Sequence, residues 1–277
     1  MVKLGLDVGH GLHTPGKQTP DGIKEWTLND KVADKVADML APYDVSILRT
    51  DNDEGKTDES LSNRVSTYLK AGVASLVSIH HNAFKGTWGK ATGVEVYVDR
   101  KCTEQDLKLA NLIYARLVKY TGLKGRGVKK ANFQVINQNK VPAVLVEGGF
   151  MDGTDDYKII TSDVGQTAYA RAVAESLIEF HNLKKKTPAT TTQTTGGTCE
   201  VKLNVLKKGA KGESVKALQA LLIGYGFKMT NDGKTYSVDG SFGVATENAL
   251  KNYQRCVGLA VDGSCGPKTW AKLLGIV

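Results

Sequence analysis

The sequence predicts an α/β fold, a mostly parallel twisted sheet flanked by helices, followed by a small C-terminal three-helix domain. Three observations carry that expectation. Over residues 1–183, short apolar runs alternate with segments of 3.6-residue period, the pattern of parallel strands joined by crossover helices. Residues 184–199, rich in Thr and Lys, have no apolar face and cannot bury enough surface to offset their ordering entropy. Beyond them a short motif occurs twice, which points to a module built by repetition. The domain boundaries are therefore drawn at 1–183, a flexible linker at 184–199, and 200–277.

Strand-like runs fall at Lys3–Val8, Val45–Arg49, Ala74–Ile79, Gly93–Val98 and Ala143–Glu147. Between them, Asn29–Leu40 places Val32, Val36, Met39 and Leu40 on one helical face, and Leu61–Ala71 does the same with Leu61, Val65, Tyr68 and Leu69. Asp106–Tyr120 and Val164–Phe180 repeat the pattern with Leu109, Leu112, Ile113 and Leu117, and with Tyr169, Val173, Leu177 and Phe180. Such alternation implies a sheet covered on both faces. Lys124–Gln138, rich in Gly, Lys and Asn, has no clear period and reads as a surface loop or an edge strand. In the C-terminal part, Gly212–Gly224 reads as a helix with Val215, Leu218, Leu221 and Leu222 inward. Val238-Asp239-Gly240-Ser241-Phe242-Gly243 then recurs as Val261-Asp262-Gly263-Ser264-Cys265-Gly266. In each copy Asp-Gly makes a turn and the second Gly precedes a helix, with Pro267 at a favourable first helical position.

Charge is divided unevenly. The chain carries a net +8, residues 1–183 are neutral, and residues 184–277 hold fourteen basic against six acidic side chains. A basic appendage on a neutral domain suits a polyanion, either nucleic acid or an anionic cell wall. The aromatic interleaving expected for single-strand binding is missing, and no helix-turn-helix pattern can be placed, so nucleic acid is not expected as a partner. The opening Met1–Asp7 is not read as a secretory signal, because Asp7 and His10 interrupt any apolar segment. No stretch approaches the roughly 18 apolar residues of a membrane helix. Cys102, Cys199, Cys256 and Cys265 form no paired motif; free thiols are expected, with a Cys256–Cys265 bridge as the other option.

Chemistry concentrates on four residues. His10 follows the apolar run Leu6-Asp7-Val8 and a glycine, His80 ends Leu76-Val77-Ser78-Ile79, and Glu147 ends Ala143-Val144-Leu145-Val146. Glu25 arrives on the connection after the first strand. A single His after a strand is more often a hydrogen-bonded loop residue than a ligand. Convergence at one sheet edge reverses that expectation, since unpaired polar groups buried there would be costly. Two imidazoles and one carboxylate make a three-ligand catalytic zinc set with a fourth position for water, and the other carboxylate can act as general base. Spacing alone does not decide which carboxylate does which.

Four motifs in order resemble the zinc-dependent N-acetylmuramoyl-L-alanine amidases of the amidase-3 family: Asp7-Val8-Gly9-His10-Gly11, Lys24-Glu25-Trp26-Thr27-Leu28-Asn29, Ser78-Ile79-His80-His81-Asn82-Ala83 and Val144-Leu145-Val146-Glu147-Gly148-Gly149-Phe150. Residues 202–274 resemble the peptidoglycan-binding domain 1 family through Gly209–Val215, Leu218-Gln219 and the two Val-Asp-Gly-Ser copies. The resemblance implies one Zn²⁺ held by His10, Glu25 and His80, with Glu147 as the catalytic carboxylate. It makes His81 a neighbour rather than a ligand and His13 a decoy, while His181 reads as structural or solvated. The segment Leu12–Gly22 departs from the Gly-Gly-x-Asp stretch of many bacterial members. Asn82 and Arg64 are candidates for substrate contact or for supporting the ligands, Arg64 more readily through a helix-to-loop salt bridge. Asp239, Phe242, Tyr253 and Asp262 are the wall-binding candidates, with Cys265 standing where the first copy has Phe242.

The function so implied is hydrolysis of the amide between N-acetylmuramic acid and L-alanine in bacterial peptidoglycan. A zinc peptidase cutting within the stem peptide and a non-catalytic wall-binding protein are the alternatives. Peptidoglycan and anionic wall polymers are the expected partners, without membrane insertion, for a monomer. The expected setting is synthesis in a host cytoplasm and action on the wall after release, as a phage endolysin or a mother-cell autolysin.

Overall fold

A computed structural model describes residues 1–51, 55–137, 140–186 and 204–275. The chain divides into two compact units, Met1–Thr187 and Pro188–Val277.

The first unit is built on a six-stranded sheet of β1 (Val2–Val8), β2 (Val45–Leu48), β3 (Leu76–Asn82), β4 (Val94–Asp99), β5 (Gly125–Ala131) and β6 (Ala143–Phe150). Its order is β2-β1-β3-β6-β4-β5. The first four of these are mutually parallel, β4 runs antiparallel to β6, and β5 is parallel to β4. The mostly parallel expectation is met, and Lys124–Gln138 supplies an edge strand. Helices α1 (Glu25–Leu40), α2 (Leu61–Lys70), α3 (Glu104–Thr121), α4 (Thr154–Ile160) and α5 (Asp163–His181) complete the unit.

The two faces of the sheet differ. Val77, Ile79, Val94, Val96, Val98, Val144 and Val146 enter the main core with apolar residues of α1, α3 and α5. On the other face Leu76, Ala143 and Leu145 join a smaller cluster with Tyr68 of α2, Val73, Val135 and Ile136. Because strand side chains alternate, His80 and Glu147 emerge on this second, more thinly covered face.

Three boundaries differ from the sequence reading. Helix α1 starts at Glu25, not Asn29, because Trp26 and Leu28 already bury against the core. Strands β3 and β6 continue past His80 and Glu147, so these residues lie within strands rather than at their ends. The expected linker begins later than residue 184. Lys184 O accepts from Asp44 N at 2.8 Å and Lys186 N donates to Pro42 O at 2.8 Å, which docks these lysines onto the first unit. The remainder of the expected linker, with Cys199, lies outside the described residues.

The second unit contains α6 (Glu213–Gly224), α7 (Val244–Cys256) and α8 (Pro267–Leu273), the expected three helices, together with a hairpin of β7 (Met229–Asn231) and β8 (Lys234–Tyr236). Asp232 and Gly233 turn that hairpin with positive φ at both positions, the geometry that favours Asp-Gly in two-residue turns. The repeat has a structural basis. Gln219 of α6 donates to Asp239 Oδ1 (2.8 Å) and Ser241 O (3.1 Å) and accepts from Gly240 N (2.8 Å). Gln254 of α7 does the same with Asp262 (2.8 Å), Ser264 O (2.9 Å) and Gly263 N (2.9 Å). Each helix thus clamps the Asp-Gly-Ser turn that launches the next. Hydrogen bonds from Gln219 and from Ser241 N hold the Asp239 carboxyl below its usual range, and Ser264 N and Gln254 do so for Asp262.

These contacts correct the wall-binding candidates. Phe242 and Tyr253 are core residues, each 2% exposed, and cannot present a binding face. Asp239 and Asp262 spend one carboxylate oxygen on their own turns, although both residues remain exposed. Cys265 is fully buried where Phe242 is buried in the first copy. Its thiol is free, so there is no Cys256–Cys265 bridge.

Candidate metal centre and active site

Each predicted ligand is delivered by a distinct backbone device. His10 lies two residues beyond β1 in the left-handed region, φ 66°, an uncommon conformation for a residue with a side chain. Its carbonyl accepts from Arg64 Nη2 at 2.9 Å, and the neighbouring Gly9 carbonyl accepts from Asn29 Nδ2 at 3.1 Å. Gly9 is required by proximity: a Cβ there would lie 2.2 Å from the His80 ring. Glu25 is the first residue of α1, where the helix dipole favours a carboxylate. His80 comes from the middle of β3.

These three residues meet at one point. A nitrogen from each imidazole and a Glu25 oxygen all lie within 4.8 Å of one another. Glu25 Oε2 is 3.3 Å from His10 Nε2, and Oε1 is 3.0 Å from His80 Nδ1. The imidazole planes stand at 90° with centroids 5.0 Å apart. A tetrahedral zinc with ligand distances near 2.0–2.1 Å needs donors about 3.3 Å apart, and the two Glu25–imidazole distances, 3.3 and 3.0 Å, match that spacing. Burial alone would raise the Glu25 pKa, but hydrogen bonds from His10 and His80 outweigh it and hold the carboxyl far below the usual range. For His80, burial acts to lower the pKa and is overcome by Glu25 and then Glu147, so the net shift is upward. A buried anion beside two imidazoles is the electrostatic environment of a cation site.

Glu147 is the direct cross-strand neighbour of His80. Its Oε2 is buried with no hydrogen-bond partner, an unsatisfied acceptor of the kind that folded proteins rarely leave. Burial, reinforced by Glu25 and Glu95, pushes the carboxyl up to about 8. A cation held by the neighbouring ligands would favour the ionised carboxylate again, leaving a buried group able to accept and return a proton.

The other histidines lie outside the cluster. His81 points to the opposite face, Nδ1 at 2.8 Å from Asn29 Oδ1, and burial lowers its pKa to about 4. His13 is exposed. His181 Nε2 bonds Ser75 Oγ at 2.8 Å, a structural role.

Arg64 is more than a helix-to-loop salt bridge. At 1% exposure it donates to Asp7 Oδ1 (3.0 Å), Asp58 Oδ1 (3.0 Å) and the carbonyls of Val8, His10 and Glu59. It therefore fixes the chain that carries His10, and it lines a cavity of about 330 Å³ with Asp7, Gly9, His10, Asp58, Glu59, Ser60, Leu61 and His80. Asn82 donates to Glu95 Oε1 at 2.7 Å and is not part of the ligand set. Sequence reasoning missed Asn29, which holds both Gly9 and His81. It also missed Tyr169, whose hydroxyl donates to Val146 O at 2.8 Å beneath Glu147. The short spacing from Glu25 to Asn29 on one helix face was the available signal for the first; Tyr169 offered none.

A cluster of two imidazoles and two carboxylates on the open side of an α/β sheet defines a hydrolase organised around a potential metal site. Comparison with known proteins agrees. Residues 4–179 match the Amidase_3 family, N-acetylmuramoyl-L-alanine amidase, and residues 211–273 match a peptidoglycan binding domain family. The chain is 30% identical over 191 residues to N-acetylmuramoyl-L-alanine amidase CwlM of Bacillus licheniformis, covering 68% of this chain and 72% of that protein. It is 33% identical over 184 residues to the endolysin of Bacillus phage SPP1, covering 65% and 66%. The solved catalytic domain of CwlV, an N-acetylmuramoyl-L-alanine amidase from Bacillus (Paenibacillus) polymyxa var. colistinus, superposes with a TM-score of 0.60 at 27% identity, covering 66% of this chain and all of that one. The chain belongs to the Amidase_3 family of N-acetylmuramoyl-L-alanine amidases. It is a peptidoglycan hydrolase, and its family is generally zinc-dependent.

Proposed function

We propose that His10, Glu25 and His80 hold a single Zn²⁺ and that Glu147 is the general base and acid for cleavage of the amide between N-acetylmuramic acid and L-alanine. One observation carries this reading: three donors within 4.8 Å of one another stand beside a buried carboxylate oxygen without a partner. Zinc bound there would acidify a water and polarise the scissile carbonyl. Glu147 takes the proton from the attacking water at Oε2 and passes it to the departing amine, which otherwise leaves poorly. Glu25 stays ionised and supplies the anionic ligand between the two imidazoles, and Arg64 keeps His10 in place by holding its carbonyl.

The 200–277 domain anchors the enzyme to the wall, with the chain's excess positive charge adding attraction to anionic wall polymers. Among the described residues no helix is long and apolar enough to cross a membrane. The likeness to a phage endolysin supports an enzyme that reaches the wall after release from the cytoplasm, and we infer that it acts there as a monomer.

Labelling new amino termini in digested peptidoglycan tests the bond. Labelled L-alanine, with no new reducing sugar, is the expected product. Labelled diaminopimelate or lysine without labelled alanine would replace the amidase by a stem-peptide peptidase.

A further inference from the structure

Two strands away from the metal ligands, the sheet carries a charge excess that the reaction chemistry does not use. His80 on β3, Glu147 on β6 and Glu95 on β4 form a row of directly opposed residues. They therefore project from the same face. Next in line is β5, which has an irregular register: Val94 pairs with Gly125, but Val96 pairs with Val128. One extra residue is accommodated here, with Gly127 at φ 94°, the signature of a bulge. Strict alternation would place Arg126 and Lys129 on opposite faces. The bulge turns Arg126 back, so that both cations reach Glu95.

Glu95 does not neutralise them. Its Oε1 accepts from Asn82 Nδ2 (2.7 Å) and Tyr97 OH (2.9 Å), and its Oε2 accepts from Arg126 Nε (2.8 Å) and Lys129 Nζ. Four donors saturate the roughly four acceptor sites of a carboxylate. Burial would raise the Glu95 pKa, but Lys129, Arg126 and Tyr97 outweigh it, so the group is an anion and the cluster keeps one net positive charge. Beyond Glu95, Arg126 has a 3.5 Å contact from Nη1 to Thr92 O and lies with its guanidinium 5.0 Å from the Phe150 ring centroid. Lys129 retains two N–H bonds for a further acceptor. Both side chains are more than one-third exposed while Glu95 is 2% exposed.

We propose that Arg126 and Lys129 form a subsite for the α-carboxylate of the second stem-peptide residue, adjoining the scissile amide. Peptidoglycan stems carry at that position a γ-linked glutamate whose α-carboxyl is either free or amidated. Strands lie about 4.8 Å apart, which puts β4 and β5 roughly 5 and 10 Å from Glu147. A second residue in extended chain stands about 7 Å from the bond being cut, between those limits. Free carboxylate finds two converging donors; carboxamide meets the same donors without the charge. The subsite rests on the placement of the reaction at Glu147 argued above, and it sets which wall chemistry the enzyme prefers.

Two synthetic muropeptides differing only in carboxylate or carboxamide at this position provide the test on the full-length zinc-loaded enzyme. The wild-type ratio of kcat/KM should favour the carboxylate by about tenfold, the order expected for a charge-assisted contact. The favour should arise in KM. Arg126→Gln and Lys129→Met should each shrink the ratio, their combination should bring it near unity, and Lys129→Arg should keep most of it. On the unmodified enzyme, the released carboxylate peptide should inhibit at lower concentration than its amidated twin. Equal ratios in wild type and double variant, or equal inhibition by the two peptides, would overturn the subsite. Failure of both substrates to yield a new L-alanine amino terminus would instead count against the amidase assignment.

Discussion

Replacing Arg64 probes how the fold holds the metal centre. The guanidinium is 1% exposed and pairs with Asp7, itself 1% exposed, and with the more exposed Asp58. In Arg64→Met the Asp7 carboxylate keeps only the 2.6 Å hydrogen bond from Ser78 Oγ among its present contacts. Removing one partner of a buried pair costs about 3–5 kcal/mol. The carbonyls of Val8 and His10 lose a donor as well, which places the total near the upper end of that range. For a domain of this size each kcal/mol moves Tm by about 2–4 °C, so the midpoint of the catalytic domain should fall by roughly 10–15 °C. Losing the anchor on His10 should also weaken zinc by about 10–100-fold, as loss of groups that orient ligands does. Asp7→Asn in the same chain should recover about 2 kcal/mol relative to the sum of the single changes, because the two groups act as a pair. Calorimetry and zinc competition titration read both quantities. A loss below 1 kcal/mol with unchanged zinc affinity and strict additivity would refute the argument.

Glu147→Gln should retain stoichiometric zinc and the native Tm while turnover drops about 10²–10⁴-fold; near-normal turnover would remove Glu147 from the mechanism. Gly9→Ala should lose zinc, measured by metal analysis, because its new Cβ would stand 2.2 Å from the His80 ring. The C-terminal unit should lose stability as pH falls. Asp239 and Asp262 have folded-state pKa values below the ordinary 3.8, so the stability they contribute is complete above that value and disappears as pH drops through the lower one. NMR signals of Gly240 and Gly263 in the full chain follow this, and Gln254→Ala should weaken the turn at Gly263 first.

Much of the site was legible because buried strands are apolar, and a polar residue on them stands out. His80 and Glu147 were visible for that reason, and the break at Gly9 marked His10. The start of α1 was not legible, since Lys24 at its N-cap makes no side-chain cap bond and so leaves no capping signature. The edge strand β5 hid Arg126 and Lys129 because it is half exposed and bulged, which erases period-two alternation. In the C-terminal unit the repeat itself was plain. Its meaning was not, because Gln219 lies twenty residues before the Asp239 turn it clamps, and a turn-forming aspartate looks in sequence like a ligand-binding one.

The proposed zinc lies between the two imidazoles and Glu25, beside Glu147. Anomalous diffraction collected on both sides of the zinc absorption edge, from crystals grown with the metal, tests it directly. One peak is expected in the catalytic domain at about 2.0–2.2 Å from His10, Glu25 and His80, with Glu147 next to it but not a ligand. A peak at His13 or His81, or no zinc signal within the three-residue cluster, would contradict it.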